Sequence, residues 1–467
     1  MRRRHLPLIA LALLAGCASP AVKPPRPLPA PAPAPAHVPP VTAPEPAPTP
    51  APTPHAAPTQ ITPPTVSGDM VFDAWAAEFY GRAVKAGIPR LLLDRELNGL
   101  TPDPRVTSRD SRQPEFSQPI SVYIAGAVAP GAVAMGERKR AEVSGFAAIE
   151  QKYGVPREIL LAIWSRESGF GAIQGDFDVI RSMASLAAQG RRRDWAEGEL
   201  ISALRIIGSG EATRAQLKGS WAGAMGQTQF TPSSYLATAV DGDGDGKRDI
   251  WGSSSDALAS AANLLARGGW TPGQRWAREV TVPADFDWSL TEGPKQSPSW
   301  WADKGVVRAD GLPWSAGDQA APAQLLAPAG AKGPVFLLFP NHFAIRKYNN
   351  SVAYALAVGL LADRIGGGGP LKTPWPAETP LSLADRMTAQ RALAALGFNP
   401  GAPDGIMGVG ARSALRAWQK ARSLPADGYL SPDMVQKLKT EAGQRTPGEA
   451  GTGSPSGGAS EKISPAA

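Results

Sequence analysis

The chain has 467 residues, with 48 Lys+Arg against 41 Asp+Glu, one Cys, 48 Pro and 50 Gly. A formal net charge of +7, with three of the arginines inside the first four residues, excludes the clustered basic stripe of a nucleic-acid-binding surface. The single Cys excludes a disulfide framework and any Cys-rich metal site, while the length suggests about two or three domains.

Arg2, Arg3 and Arg4 precede an apolar run over residues 6–14. That run is too short for a permanent membrane span and has the flanks of a secretory signal. Leu14-Ala15-Gly16-Cys17 closes it and resembles the bacterial lipobox. The resemblance implies a diacylglyceryl group on Cys17 and cleavage in front of it, so residues 1–17 are expected to be a lipoprotein signal. The alternative is an ordinary signal peptide with a chance Cys. Acyl chains bury CH₂ groups at ~0.8 kcal/mol each, and several chains anchor stably. Ala18, rather than Asp, follows the Cys; by the usual sorting rule that implies the periplasmic face of the outer membrane. Residues 18–66 read as a linker, since 19 of the 48 prolines fall within 20–66. Polyproline II at ~3.1 Å per residue would let this segment hold a domain on the order of 100 Å from the membrane.

Globular patterning begins near Met70, with Val71, Trp75 and Phe79 at helical spacing, and 67–365 is expected to form one catalytic domain. Tyr153-Gly154-Val155-Pro156 stops one helix and starts another, predicted from Arg157 to about Ser168. Ile159, Ile163 and Glu167 share one stripe of that helix. Glu167 also lies in its last turn, before Gly169, where the macrodipole disfavours negative charge. Burial and the dipole both push a carboxyl pKa up, and a carboxylic acid still protonated near neutral pH can protonate a glycosidic oxygen. Taken alone, a Glu at a helix end is weak evidence, and a partly buried, salt-bridged structural Glu explains it better. Two further clusters change the weighting. Gly223-Ala224-Met225-Gly226-Gln227-Thr228-Gln229-Phe230 combines small residues with amides, which both donate to and accept from sugar hydroxyls. Tyr348-Asn349-Asn350-Ser351-Val352-Ala353-Tyr354 sets two tyrosines and an Asn ahead of a helix.

Together, Glu167-Ser168-Gly169-Phe170-Gly171, the Gly-Ala-Met-Gly-Gln-Thr-Gln-Phe run, the Tyr-Asn-x-Ser run and the helix start at Asp256 resemble the membrane-bound lytic murein transglycosylase B family. The resemblance implies a mostly α (α+β) protein with a lysozyme-like core. It also implies a small β-containing insertion over 276–339, with residues 335–339 its clearest strand. It places Glu167 as the single acid/base. Ser220, Gln229, Tyr348, Asn349, Tyr354 and Tyr123 would line the sugar cleft, Tyr123 by its place after Gln113-Pro114-Glu115-Phe116. Tyr348 and Tyr354 could equally be core aromatics, and Ser220 a turn cap. Ordinary glycosidases need two carboxylates, ~5 Å or ~6.5–9.5 Å apart. Asp176 and Asp178 follow Glu167, but no second acid recurs in the matching motifs. The family chemistry needs none. Glu167 protonates the bond between N-acetylmuramic acid and N-acetylglucosamine, the substrate's N-acetyl group stabilises C1, and the C6 hydroxyl attacks to give a 1,6-anhydro sugar. No cofactor is required for that reaction.

Asp241-Gly242-Asp243-Gly244-Asp245-Gly246-Lys247-Arg248-Asp249 offers carboxylates at loop positions 1, 3, 5 and 9 with Gly at 6, as in an EF-hand. Position 12, usually a bidentate Glu, is Gly252. Two readings stand: a structural Ca²⁺ held by Asp241, Asp243, Asp245 and Asp249, or an acidic turn without metal.

Residues 366–380, a four-Gly run followed by prolines, read as a second linker, and 441–467 as a disordered tail. Between them, Pro403-Asp404-Gly405 and Pro425-Ala426-Asp427-Gly428 are matching turn signals separating three short helical stretches. Ala389-Gln390-Arg391-Ala392-Leu393, Gly397-Phe398, Asp404-Gly405, Trp418-Gln419 and Asp427-Gly428 resemble, in order, the bacterial three-helix peptidoglycan-binding domain over 381–440. Gly410-Ala411 departs from the Lys-Thr pair usual in that family, which leaves the capping of the second helix open. Peptidoglycan glycan strands, and the membrane through its lipid anchor, are therefore the expected partners. The rival readings are a lysozyme-type hydrolase and a non-catalytic wall tether.

Overall fold

The computed structural model describes residues 67–110, 118–190, 192–377 and 379–444. The signal with Cys17, the Pro-rich linker, Gln113 to Phe116 and the segment after Gln444 lie outside the described residues.

The fold is mostly helical, as expected. Its centre is the helix Val352–Ile365, whose sequence is apolar on nearly every side and whose residues are buried on nearly every side. It packs along the helix Arg157–Ser168, and Ile159, Ile163 and Trp164 join Leu356, Leu360 and Leu361 in one core. Gly359 permits the close approach of Trp276: a Cβ there would stand 2.3 Å from the indole. A second core gathers Phe72, Trp75 and Phe79 of the helix Met70–Lys85 against the helices Val179–Gln189 and Arg193–Gly208. Tyr348 packs against both cores.

A two-residue ribbon, β1 (Phe177–Asp178) with β2 (Lys218–Gly219), closes a loop beside the second core. The expected insertion is a four-stranded antiparallel sheet of β3 (Ala277–Thr281), β4 (Val307–Arg308), β5 (Gln324–Leu326) and β6 (Val335–Leu338), in the order β4-β3-β6-β5. Its register pairs Ala277 with Leu338 and Val280 with Val335. The period of two in β6 explains why every residue is apolar: Phe336 and Leu338 face the main core, while Val335 and Leu337 face a satellite core with Trp301 and Phe339.

The C-terminal module has the helices Leu383–Ala395, Val409–Lys420 and Pro432–Gln444 around Leu393, Leu415, Trp418 and Leu438. Its two Asp-Gly turns are built alike. Gln390 donates to the Asp404 carboxylate and accepts the Gly405 N–H; Gln419 does the same for Asp427 and Gly428. Both glycines have positive φ, 76° and 73°, which only Gly adopts without strain. Gly408 caps the second helix with no side-chain hydrogen bond.

One boundary is corrected. The expected tail begins too early, because the third helix runs on to Gln444. Glu441 holds it there by accepting the Trp418 indole N–H at 3.1 Å and the Arg422 guanidinium.

Candidate active site

The helix Arg157–Ser168 begins after Pro156 and ends where Gly169 turns left-handed at φ 59°, its N–H returning to Ser165 and Trp164. Phe170 is left-handed too, at 64°, and lays its ring edge-on to Trp164. Ser168 fixes this corner. Its hydroxyl accepts the Gly171 N–H at 2.8 Å and donates to the Gln227 carbonyl at 2.5 Å. The end of the acid-bearing helix is thereby tied to the Gly-Ala-Met-Gly-Gln run.

Small residues in that run allow close backbone crossing. A Cβ on Gly219 would meet the Ala224 carbonyl oxygen at 2.1 Å, and Met225 bridges both Gly219 and Phe230. Ser220 accepts the N–H groups of Ala222 and Ala224, so it does cap its turn. Gln229 sits at φ 51° and donates to the carbonyls of Gln174 and Gly226. Gln227 is buried, with its amide on the Trp251 carbonyl.

The other wall comes from the Tyr-Asn-x-Ser run. Tyr348 ends the helix Pro340–Tyr348, exposed Asn349 caps it, and Ser351 caps the next helix by accepting the Tyr354 N–H. Tyr354 thus enters one turn into a buried helix, and its hydroxyl donates a short hydrogen bond to Glu167 Oε1. The Tyr348 hydroxyl donates to the Thr228 carbonyl, and the Tyr348 and Tyr354 rings stack at 6.5 Å. Tyr123, on the helix Ile120–Ala127, carries the Arg166 guanidinium over its ring at 5.1 Å.

Desolvation raises the Glu167 pKa to about 7, against the opposing pulls of the Tyr354 hydroxyl and the Arg166 charge. Burial also drives both tyrosines well above their ordinary range, so they stay neutral donors. None of the groups shifting Glu167 is a carboxylate. Asp178 instead caps the helix Val179–Gln189 and pairs with Arg214 at 3.0 Å, and exposed Asp176 faces Arg105.

Glu167, Tyr354, Tyr348 and, through Arg166, Tyr123 therefore come together. Ser220 and Gln229 shape the neighbouring loop without bonding to the acid, and Asn349 is exposed at the helix end. Sequence reasoning passed over Ser168, Gln227 and Arg166. Ser168 had a legible signal, a hydroxyl between the acid and a left-handed Gly.

The acidic loop differs from its expected ligand set. Asp241, Asp243, Asp245 and Asp256 each bring a carboxylate oxygen within 4.8 Å of one another. Asp249 is not part of that group; its Oδ1 accepts the N–H groups of Trp251 and Gly252. Asp256 supplies the acid that Gly252 lacks. It is 1% exposed, and its oxygens accept the Gly242 and Asp249 N–H groups. Burial raises its pKa. Four clustered hard oxygens suit a calcium ion.

One desolvated acid, held by a tyrosine hydroxyl, thus stands at the centre of a mostly helical, lysozyme-like frame. The chain belongs to the transglycosylase SLT domain family, whose family model matches residues 71–363, and residues 382–438 match a peptidoglycan binding domain. Membrane-bound lytic murein transglycosylase B of Escherichia coli (strain K12) is 34% identical over 218 residues, which is 46% of this chain and 58% of that protein. The chain thus matches little more than half the length of this curated relative. The structure of SltB3 from Pseudomonas aeruginosa in complex with NAG-anhNAM-pentapeptide is 45% identical with a TM-score of 0.76, covering 79% of this chain and 100% of that chain. The Escherichia coli lytic transglycosylase Slt35 in complex with calcium is 30% identical with a TM-score of 0.52, covering 62% and 91%.

Proposed function

We propose that this chain is a lytic murein transglycosylase that cleaves the β-1,4 bond between N-acetylmuramic acid and N-acetylglucosamine and leaves 1,6-anhydro-N-acetylmuramoyl ends. The observation that carries the reading is the Tyr354–Glu167 contact on a carboxyl raised to about 7. Near neutral pH Glu167 holds a proton to give to the glycosidic oxygen as the C1–O bond breaks. The carboxylate that results finds the Tyr354 O–H and the Arg166 charge in place. The substrate's N-acetyl group shields C1. Glu167 then removes the C6 hydroxyl proton as O6 bonds to C1, so no water is consumed and a second carboxylate has no task. Tyr123, Ser220, Gln229, Tyr348 and Asn349 are the proposed sugar-binding residues.

In the same reading residues 67–365 form the catalytic domain, 366–380 its linker, and the wall-binding domain begins at 381. Lipid on Cys17 and the segment 18–66 hold the enzyme at the periplasmic face of the outer membrane. Asp241, Asp243, Asp245 and Asp256 would hold a structural calcium ion, away from the chemistry. Calcium added to chelator-treated protein should raise the Tm, and Asp245→Asn should abolish that rise. An unchanged Tm removes the metal from the reading.

Product analysis tests the activity. Purified sacculi treated with the full-length chain should release muropeptides that resist borohydride and are one water lighter than reducing ends. Reducible ends that take up ¹⁸O from labelled water would make the enzyme a hydrolase. Binding without products would leave a wall tether.

A further inference from the structure

Gln174, Gln227 and Gln229 join the loops around the acid. Gln227 and Gln174 both donate their amides to the Trp251 carbonyl, at 3.2 and 3.1 Å, and Gln229 donates to the Gln174 carbonyl at 3.0 Å. They stitch together the segment after the acid, the Gly-Ala-Met-Gly-Gln run and the end of the acidic loop. Gln227 sits where all three meet. Its N–H goes to the Ile250 carbonyl at 2.9 Å, and its own carbonyl accepts the Ser168 hydroxyl at 2.5 Å. Its side-chain Oε1 lies against Gly171, where a Cβ would come within 2.8 Å of it. At 6% exposure it is too buried to be gripped by a sugar.

A buried, hydrogen-bonded amide fixes geometry in a way that an apolar side chain of the same size does not, because its bond has a direction. What it fixes here is the corner behind Glu167. That carboxyl keeps its proton because water is excluded, the largest of the influences on it. It faces the Tyr354 and Tyr348 hydroxyls from one wall, and from its own helix the Arg166 charge, backed by Tyr123. Of the other helices packed on Arg157–Ser168, Pro130–Glu142 pairs its Arg140 with Glu158, and Ser254–Arg267 turns Asp256 into the acidic loop. Residues 169–175 and 223–230 carry no titratable side chain. Water admitted on that side would relieve the desolvation and leave Tyr354 and Arg166 in place, so every remaining influence would favour the carboxylate.

We propose that Gln227 is a positioning residue for the catalytic acid: its amide, anchored on the Trp251 carbonyl, holds the Ser168–Gly171 corner closed behind Glu167 and keeps water from the carboxyl. This rests on the transglycosylase reading above and adds to it the residue that keeps the acid dry. Gln227 acts through the corner and touches neither the acid's proton nor the substrate.

The test compares the full-length chain with Gln227→Met, Ser168→Ala and the double variant on soluble, uncrosslinked glycan strands, with kcat and KM followed across pH. Met keeps the length and volume of Gln but cannot donate. In Gln227→Met, kcat at neutral pH should fall about tenfold or more while KM stays within about twofold. The alkaline limb, near 7 in the wild type, should move down by about one pH unit or more. Ser168→Ala breaks the other half of the same joint and should move the limb in the same direction, and the double variant should move it no further than the larger single change. The position of a limb is internal to each protein, so a loss of folded enzyme does not move it. A Gln227→Met limb that stays in place or moves up, or a loss confined to KM, overturns the proposal and leaves Gln227 as packing for the loop. Additive shifts in the double variant would separate Gln227 from the corner and overturn it too. Reducing rather than anhydro ends from the wild type would overturn the parent reading; end chemistry and limb position come from the same digests, so the two failures are told apart.

Discussion

Glu167→Gln is expected to lower the release of anhydro-muropeptides by about 10²–10⁴-fold, the usual range for removing a general acid or base, while the variant still sediments with sacculi. The amide keeps the shape that Tyr354 contacts but has no proton to give. For the wild type, the alkaline limb follows the raised pKa: the active protonated form persists below about 7 and is lost as the pH climbs through it. The same shift sets a stability signature. Folded Glu167 holds its proton up to about 7, whereas the unfolded carboxyl releases it near 4.5. Below 4.5 both states are protonated and burial carries no penalty. Between 4.5 and 7 a penalty grows, reaching on the order of 3 kcal/mol above the window. Glu167→Gln should therefore gain stability over the wild type at pH 8 and little at pH 4. Equal differences in Tm at the two pH values would show that the carboxyl is solvated, and the acid mechanism would lose its physical basis.

Much of this site was legible because it follows local rules. A carboxyl on an isoleucine stripe, one residue pair before a left-handed Gly, is placed by helical period alone. The apolar run in β6 needs a sheet buried on both faces, and the insertion provides it. Contacts between distant segments were beyond spacing arguments. Tyr354 reaches Glu167 across 187 residues, and nothing in its own sequence neighbourhood says whether it lines a cleft or fills a core. The acidic loop shows the limit of a local template: Asp249 at position 9 lies in the turn at Trp251, while Asp256 reaches back from the next helix to join Asp241, Asp243 and Asp245. Arg166 was passed over because an unpaired charge is visible only when every neighbour has been placed. Glu441 was given to the tail for want of apolar residues, when its role is to pair with Arg422.

Glu292→Ala should release the C-terminal module from the catalytic domain. Glu292 lies in the insertion between the strands β3 and β4, with its backbone left-handed at φ 57° and its N–H on the Leu325 carbonyl. From there its carboxylate takes Arg412 at 2.8 and 2.5 Å and Arg416 at 2.9 Å. Burial alone would raise its pKa, but the two guanidiniums outweigh that and hold it below the usual carboxylate range, so the clamp stays charged at neutral pH. A second, weaker contact runs from the Ala331 N–H to Asp427 at 2.9 Å. Removing one member of a buried ion cluster strands the others, at about 3–5 kcal/mol. Here two cations would be left without their carboxylate, and undocking lets them regain water. The expected readout is rapid proteolysis within 366–380 and a second thermal transition, with cleavage of short soluble strands retained and release from intact sacculi reduced. Triple replacement of Glu292, Arg412 and Arg416 by Ala should restore part of the protection, because no stranded charge remains. A single transition at the wild-type Tm in Glu292→Ala would mean that the close approach of Trp288–Leu290 to the helix Val409–Lys420 holds the module unaided. The clamp would then be a surface ornament. If the variant behaves as expected, the cleft and the wall-binding module meet the polymer at a fixed separation, and a strand gripped by one is presented to the other without searching.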